Sequence, residues 1–180
     1  MNLLFKSLLM KKISQLKTIL DVVITFSIVV MCISLLGLLY GLITGNLTKM
    51  NVTIQGQPIK EVDAFLAIVT VFMAIGYGFF IYAIYQLKKL VNVFIRKEFF
   101  TDLSVRTLKV IGVSMLISSV LTVLPAYIYS AMNDAKIHIS MSTIRPESMI
   151  FSFIISLFFI ILSYIFNEAK IMKEENELVI

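Results

Sequence analysis

The chain has 180 residues, 59% of them apolar, and only 15% are Lys, Arg, Asp or Glu. A soluble domain carries roughly a quarter of its residues as charges, so this composition excludes one and points to a membrane protein. The net charge of +5 then calls for a topological explanation before a nucleic-acid one, and no direct contact with nucleic acid is expected.

Four stretches carry no formal charge: 22–48, 64–87, 110–133 and 148–167. Each is at least as long as the roughly 20 residues a helix needs to cross about 30 Å of hydrocarbon. They predict an all-α membrane protein, a single four-span helix bundle with spans near 22–44, 64–87, 110–131 and 148–167. Lys6, Lys11, Lys12 and Lys17 precede the first stretch as a signal peptide's basic region would. That stretch outruns the roughly 7–15 residues of a cleavable segment and ends in Gly45-Asn46-Leu47-Thr48, so it is expected to stay as helix one.

Helix one presents Gly37, Gly41 and Gly45 at four-residue spacing. Lipid gives helices no hydrophobic reason to associate, so close approach through small side chains is the signal to look for. Helix two offers Ala74 and Gly78, helix three Ser114 and Ser118, and helix four Ser148, Ser152 and Ser156. The expected use is packing within the bundle; a homodimer through the face carrying Gly37, Gly41 and Gly45 is the other use. Tyr77, near the middle of helix two, needs a partner for its hydroxyl, either a neighbouring Ser or carbonyl or a ligand. Pro125 removes one backbone donor from helix three and is expected to kink its outer third.

The loop after helix one alternates polar and apolar residues over 51–54, and Gln55-Gly56-Gln57-Pro58 reads as a turn before Ile59. The loop after helix three alternates over 136–144, with Ile137, Ile139 and Met141 on one face and His138, Ser140 and Ser142 on the other. A small extracytoplasmic β-like element built from both loops would satisfy these backbones.

Between helices two and three, Leu87, Leu90, Val91 and Phe94 recur at helical spacing, so helix two is expected to continue to Arg96. A turn at Lys97-Glu98-Phe99-Phe100 follows, and Thr101 is a good N-cap with Asp102 at the positive end of helix three. Phe99 and Phe100 are expected near the interface, dipping into head groups or forming part of a docking surface. After helix four, 168–180 reads as an amphipathic cytoplasmic tail with Glu168, Glu174, Glu175 and Glu177 followed by Leu178, Val179 and Ile180. Its acids have two uses open to them: pairing with the basic middle connection, or presentation to a soluble partner.

Orientation follows from the Lys and Arg count. The N-terminus, the middle connection and the tail together hold twelve, and the two other loops hold four. Positive charge stays on the cytoplasmic face, so both termini are expected inside a bacterial cell membrane. The bases of the middle connection could hold anionic head groups, although topology already explains them.

The segment Lys170-Ile171-Met172-Lys173-Glu174-Glu175-Asn176-Glu177-Leu178-Val179-Ile180 resembles the C-terminal signature of a bacterial family of four-helix membrane proteins, domain of unknown function 2975 (DUF2975). The stretch from Phe99 through Leu103, Arg106, Ile111 and Gly112 is similar to that family's Pro-Phe-Ser, Leu-Arg, Ile-Gly pattern, with Phe99 standing where Pro is frequent and Val179 where Thr is. The resemblance implies the same four-helix layout and no established activity. It also implies a small helix-turn-helix regulator as a partner, because such proteins are often encoded beside one.

No enzyme is expected. The single His, His138, lies in an outer loop and the single Cys, Cys32, near mid-span, which separates them by roughly half a bilayer. One His with no carboxylate pair beside it makes neither a metal site nor an acid–base pair, and no cofactor is expected. Proton-coupled transport would need an acid within a span, whereas Asp21 and Asp63 sit at span ends. The chain is therefore expected to be an interaction or regulatory protein that docks a cytoplasmic partner, such as a small helix-turn-helix regulator, through Phe99, Phe100, Glu174, Glu175, Asn176, Glu177 and Leu178. The alternative is a small oligomeric transporter or pore lined by Ser114, Ser118, Thr122, Ser152 and Ser156.

Overall fold

The computed structural model describes residues 2–44, 53–54, 57–58, 64–96, 99–133 and 146–178. Four long helices dominate: α1 (Asn2–Thr44), α2 (Ala64–Ile95), α3 (Asp102–Asn133) and α4 (Pro146–Leu178). All four are long and apolar enough to cross a membrane, and the chain is a multi-pass membrane protein. At about 1.5 Å per residue the helices outreach the hydrocarbon, so their ends project beyond it.

Local sequence sets the ends. Pro146 opens α4 at the position where a missing N–H costs nothing. Thr101 caps α3: the Ser104 amide donates to Thr101 Oγ1 at 3.3 Å, and the Val105 amide to the Thr101 carbonyl at 3.1 Å. Ser104 stands where a capping box has Glu or Gln, and its hydroxyl lies 3.2 Å from that of Thr101. α2 continues to Ile95, as its spacing predicts, and α3 runs through Pro125 to Asn133.

Between α1 and α2, β1 (Thr53–Ile54) pairs antiparallel with β2 (Gln57–Pro58), Thr53 opposite Pro58 and Ile54 opposite Gln57. Gln57 and Pro58, read from sequence as turn residues, are thus ladder residues; Pro is tolerated there because a two-stranded ladder is all edge. This hairpin belongs to one loop. The alternating segment 136–144, with His138, lies outside the described residues.

α3 is the central helix, with α2 along one side and α4 along another, while α1 packs mainly on α2. The core sits at the end of the molecule that carries the α2–α3 turn. There Leu90, Leu108 and Ile111 are buried, ringed by Leu87 and Phe94 of α2, Met115 of α3, and Phe159, Leu162 and Phe166 of α4. Among the described residues, the buried polar side chains of α2–α4 are all hydroxyls (Ser104, Thr107, Ser114, Ser118, Ser119, Ser156 and Ser163), and large aliphatics and aromatics lie on the outside. That is the pattern of helices meeting through small residues with lipid around them.

Among the described glycines, two make the closest meetings. A Cβ on Gly76 would lie 2.8 Å from Thr122 Cγ2, 3.0 Å from Leu121 Cβ and 3.2 Å from the Ser118 carbonyl oxygen. One on Gly112 would lie 2.6 Å from Ile160 Cγ1, 2.8 Å from the Ser156 carbonyl oxygen and 3.0 Å from the Ile160 nitrogen. A Cβ on Gly37 or Gly78 would meet nothing within 4 Å. Among the described glycines, close approach therefore runs through Gly76 and Gly112 and not through Gly37 or Gly78. Gly41 lies in α1, Ala74 is half-buried on α2, and Gly45 falls outside the described residues.

Candidate functional site

The turn and the tail, separate in sequence, form one site. Phe94 at the end of α2 stands 5.4 Å, ring centre to ring centre, from Phe99 and 5.9 Å from Phe166 of α4; Phe100 lies 5.5 Å from Phe166. Both turn aromatics keep about two fifths of their surface exposed. Their inner faces are occupied by the Phe94 and Phe166 rings, so they fasten the turn to the root of the tail while presenting an apolar outer edge. Offset and tilted pairs at these separations contribute about 0.5–1.5 kcal/mol each beyond the area they bury.

Charge makes a second tie between the same segments. Lys170 of α4 lies 2.7 Å from Asp102 Oδ1 and 3.4 Å from Glu174 Oε1. The polarity is the reverse of the expected pairing: here the middle connection supplies the acid and the tail the base. Glu177 pairs with Lys173 one turn earlier on its own helix, at 3.6 Å. Glu168 and Glu175 have no ion pair among the described residues, and both are exposed. The sign reverses because Arg96, Arg106 and Lys109 point outward and Lys170 sits over the N-terminus of α3, where Asp102 already stands.

Past Lys170, α4 leaves the body of the molecule. Ile171, Met172, Lys173, Glu174, Glu175, Asn176 and Glu177 are all exposed, and the helix continues to Leu178. The site is thus a helical stalk with acids and two exposed apolar side chains, Ile171 and Met172, rooted by Phe166 and Lys170 on the turn. The sequence named the turn aromatics and the tail, and Phe94 only as part of the helical spacing of α2; it missed Phe166 and the Asp102–Lys170 bridge. Phe166 lies one turn before Lys170, so a helical reading of 166–170 is the signal that pairs them.

Of the hydroxyls named as a pore lining, those of Thr122, Ser152 and Ser156 are engaged in hydrogen bonds within and between helices. Thr122 donates to the Ser118 carbonyl at 2.8 Å, Ser156 to the Ser152 carbonyl at 2.8 Å and Ser119 to the Met115 carbonyl at 2.9 Å. Ser119 and Ser152 Oγ lie 2.5 Å apart across α3 and α4. A hydroxyl has one proton; with that of Ser119 on Met115, Ser152 is the donor of the interhelical bond. Back-bonded hydroxyls beside Gly76 and Gly112 describe a packed seam. Tyr77 is half-buried, its ring 6.1 Å from that of Phe80, and its hydroxyl has no hydrogen bond among the described residues. Cys32 is exposed on α1, and among the described residues no three His, Cys, Asp or Glu side chains converge.

The family model described as protein of unknown function (DUF2975) matches residues 52–180. The matched segment holds the hairpin, α2, α3, the turn, α4 and the tail, and so contains the whole candidate site. No curated protein and no solved structure matches the chain.

Proposed function

The chain belongs to the DUF2975 family of unknown function, and from that premise we propose that it is a membrane-anchored interaction protein whose turn and tail hold a soluble cytoplasmic partner. The partner class we propose is a small DNA-binding regulator of the helix-turn-helix type. One observation carries the reading: the stalk beyond Lys170 is helical and exposed over 171–177, yet its root is clamped to the turn by Phe166 and by Lys170. A segment with no such role has no need of a fixed direction. An ordered helix that displays Ile171, Met172 and acids loses less entropy on docking than a disordered tail would.

In this reading the turn end faces the cytoplasm of a bacterial cell and the hairpin end faces outward. The excess of Lys and Arg in 1–21, 88–109 and 168–180 supports that orientation. The outer loops would form a small β-like element and receive the signal. No catalysis is assigned to the chain.

The test is crosslinking in the native membrane followed by affinity capture and mass spectrometry, with the full chain and a variant lacking 173–180 side by side. The expected result is a small soluble protein recovered with the full chain and at least tenfold depleted with the truncation. Equal recovery removes the tail as the docking element. Recovery of only further copies of the chain transfers the weight to an oligomeric pore, for which an ion or solute flux assay is the next measurement.

A further inference from the structure

Beyond Lys170 the charges of α4 oppose the helix they sit on. A helix carries partial negative charge at its C-terminus, where bases stabilise it and acids destabilise it. The last turn of α4 holds no base, and Glu175 and Glu177 both stand in it. The two ion pairs within the stalk, Lys170 with Glu174 at 3.4 Å and Lys173 with Glu177 at 3.6 Å, place the base N-terminal to the acid. For partners four residues apart that order is the weaker of the two. Glu175 has no ion pair among the described residues.

Packing does not make up the difference, because 171–177 is exposed throughout. A helix shorter than about 12–15 residues is marginal in water when nothing supports it. Support for the stalk comes from its root, where Phe166 stands 5.9 Å from Phe94 and 5.5 Å from Phe100. Past Phe166, the 2.7 Å contact of Lys170 with Asp102 is the one hydrogen bond or ion pair from α4 to another element among the described residues. Lys170 stands between two acids: Asp102 on α3, with 87% of its side chain exposed, and Glu174 one turn further along α4. A shift of α3 against α4 that carries Asp102 away leaves the ammonium with Glu174, so opening the contact strands no base.

We propose that the stalk is a conditional helix, ordered while Asp102 holds Lys170 and frayed when a shift of α3 against α4 parts that pair. The inference rests on the docking role given to the stalk above and names its regulation: the helical stalk is the form that docks, and the position of α3 against α4 sets how much of it is present. Order–disorder change in a segment is an established way to switch a binding surface. α3 and α4 meet closely at Gly112, against Ser156 and Ile160, so a movement begun within the membrane reaches the exposed end of the molecule through one ion pair.

The test is hydrogen–deuterium exchange over 171–177, read by mass spectrometry on the full-length protein in lipid nanodiscs and corrected for intrinsic rates. No partner is present, so the outcome is separate from that of the capture experiment. D102N and K170Q are each expected to speed exchange there by up to about fivefold, the weight of an exposed ion pair, and to leave 107–115 unchanged. E175Q removes an unpaired acid from the negative end of the helix and is expected to slow exchange over the same residues by about two- to fivefold. E168Q, almost three turns from that end and above the root, is expected to change nothing. Because Glu175 is exposed, E175Q keeps the test open if either variant at the root does not fold. Exchange over 171–177 that is unmoved by D102N and K170Q, that rises equally over 107–115, that fails to slow in E175Q, or that slows as much in E168Q overturns the proposal.

Discussion

α1 and the α2–α4 unit are both apolar enough to cross a membrane, yet they are held by different physics. α2, α3 and α4 meet backbone to side chain at Gly76 and Gly112, share the Leu90, Leu108 and Ile111 cluster, and exchange a hydrogen bond between Ser119 and Ser152. α1 leans on α2, buries Ser27 among its described side chains, and is tied by the Asp21–Lys88 ion pair. The matched family segment, 52–180, coincides with the tightly packed part. Apolarity alone therefore places a helix in lipid; close approach is a separate property, and it decides which helices move as one body.

The largest effect that separates the two regions is expected at glycine. Gly112→Ala places a methyl against the Ser156 carbonyl and the Ile160 nitrogen, backbone atoms that cannot swing away. α3 and α4 must then part, at about 1–3 kcal/mol. Gly37→Ala meets open space and is expected to change stability by less than about 0.5 kcal/mol. Unfolding of both variants by denaturant titration in mixed micelles measures the contrast. An equal loss at Gly37 would mean that a second copy packs on α1, which is the homodimer reading of that face.

Phe166→Ala comes next, because it removes two ring contacts at once, to Phe94 and Phe100. At about 0.5–1.5 kcal/mol per pair, global stability falls by about 1–3 kcal/mol. The more telling readout is local: amide exchange should rise at 99–101 and along 167–178, and stay unchanged in α1. Uniform acceleration across the chain would show that the ring serves the core and not the joint between turn and stalk.

The elements were legible where the signal is local. Charge-free length marks every span, Thr101 marks the start of α3, and the spacing of Leu87, Leu90, Val91 and Phe94 carries α2 past its apolar stretch to Ile95. What the sequence hid is relational. Gly37 and Gly78 have the spacing of packing glycines, yet a Cβ on either would meet nothing within 4 Å; Gly76 and Gly112 have no repeat and face backbone. Spacing describes one helix, and contact needs a second at the same height. The same gap explains the charges, since counting acids and bases gives the bias of each loop but cannot choose Asp102 for Lys170 across 68 residues.

The Ser119–Ser152 bond is expected to be worth about 0.6 kcal/mol and no more than about 1.7 kcal/mol, because the separated helices find other partners for their hydroxyls in the membrane. A double-mutant cycle with Ser119→Ala and Ser152→Ala reads this term directly. Coupling near zero would leave the glycines and the aromatic core as what joins α3 to α4.

The smallest effect, Asp21→Asn, bears most directly on how α1 is held. Asp21 and Lys88 are each partly exposed, with 45% and 27% of the side chain open, so the pair is worth about 0.2–1 kcal/mol. Against the whole fold that is nearly invisible; against the shallow contact between α1 and α2 it is a sizeable share. Asp21→Asn is expected to leave the denaturation midpoint within error and to raise amide exchange along α1 alone, most at the end that carries the ion pair. Lys88→Gln should do the same, and high salt should mimic both in the wild type while leaving the variants unchanged. If exchange rises equally in α2 and α3, the ion pair reaches through α2 into the core, and the contrast between a packed trio and a leaning helix fails.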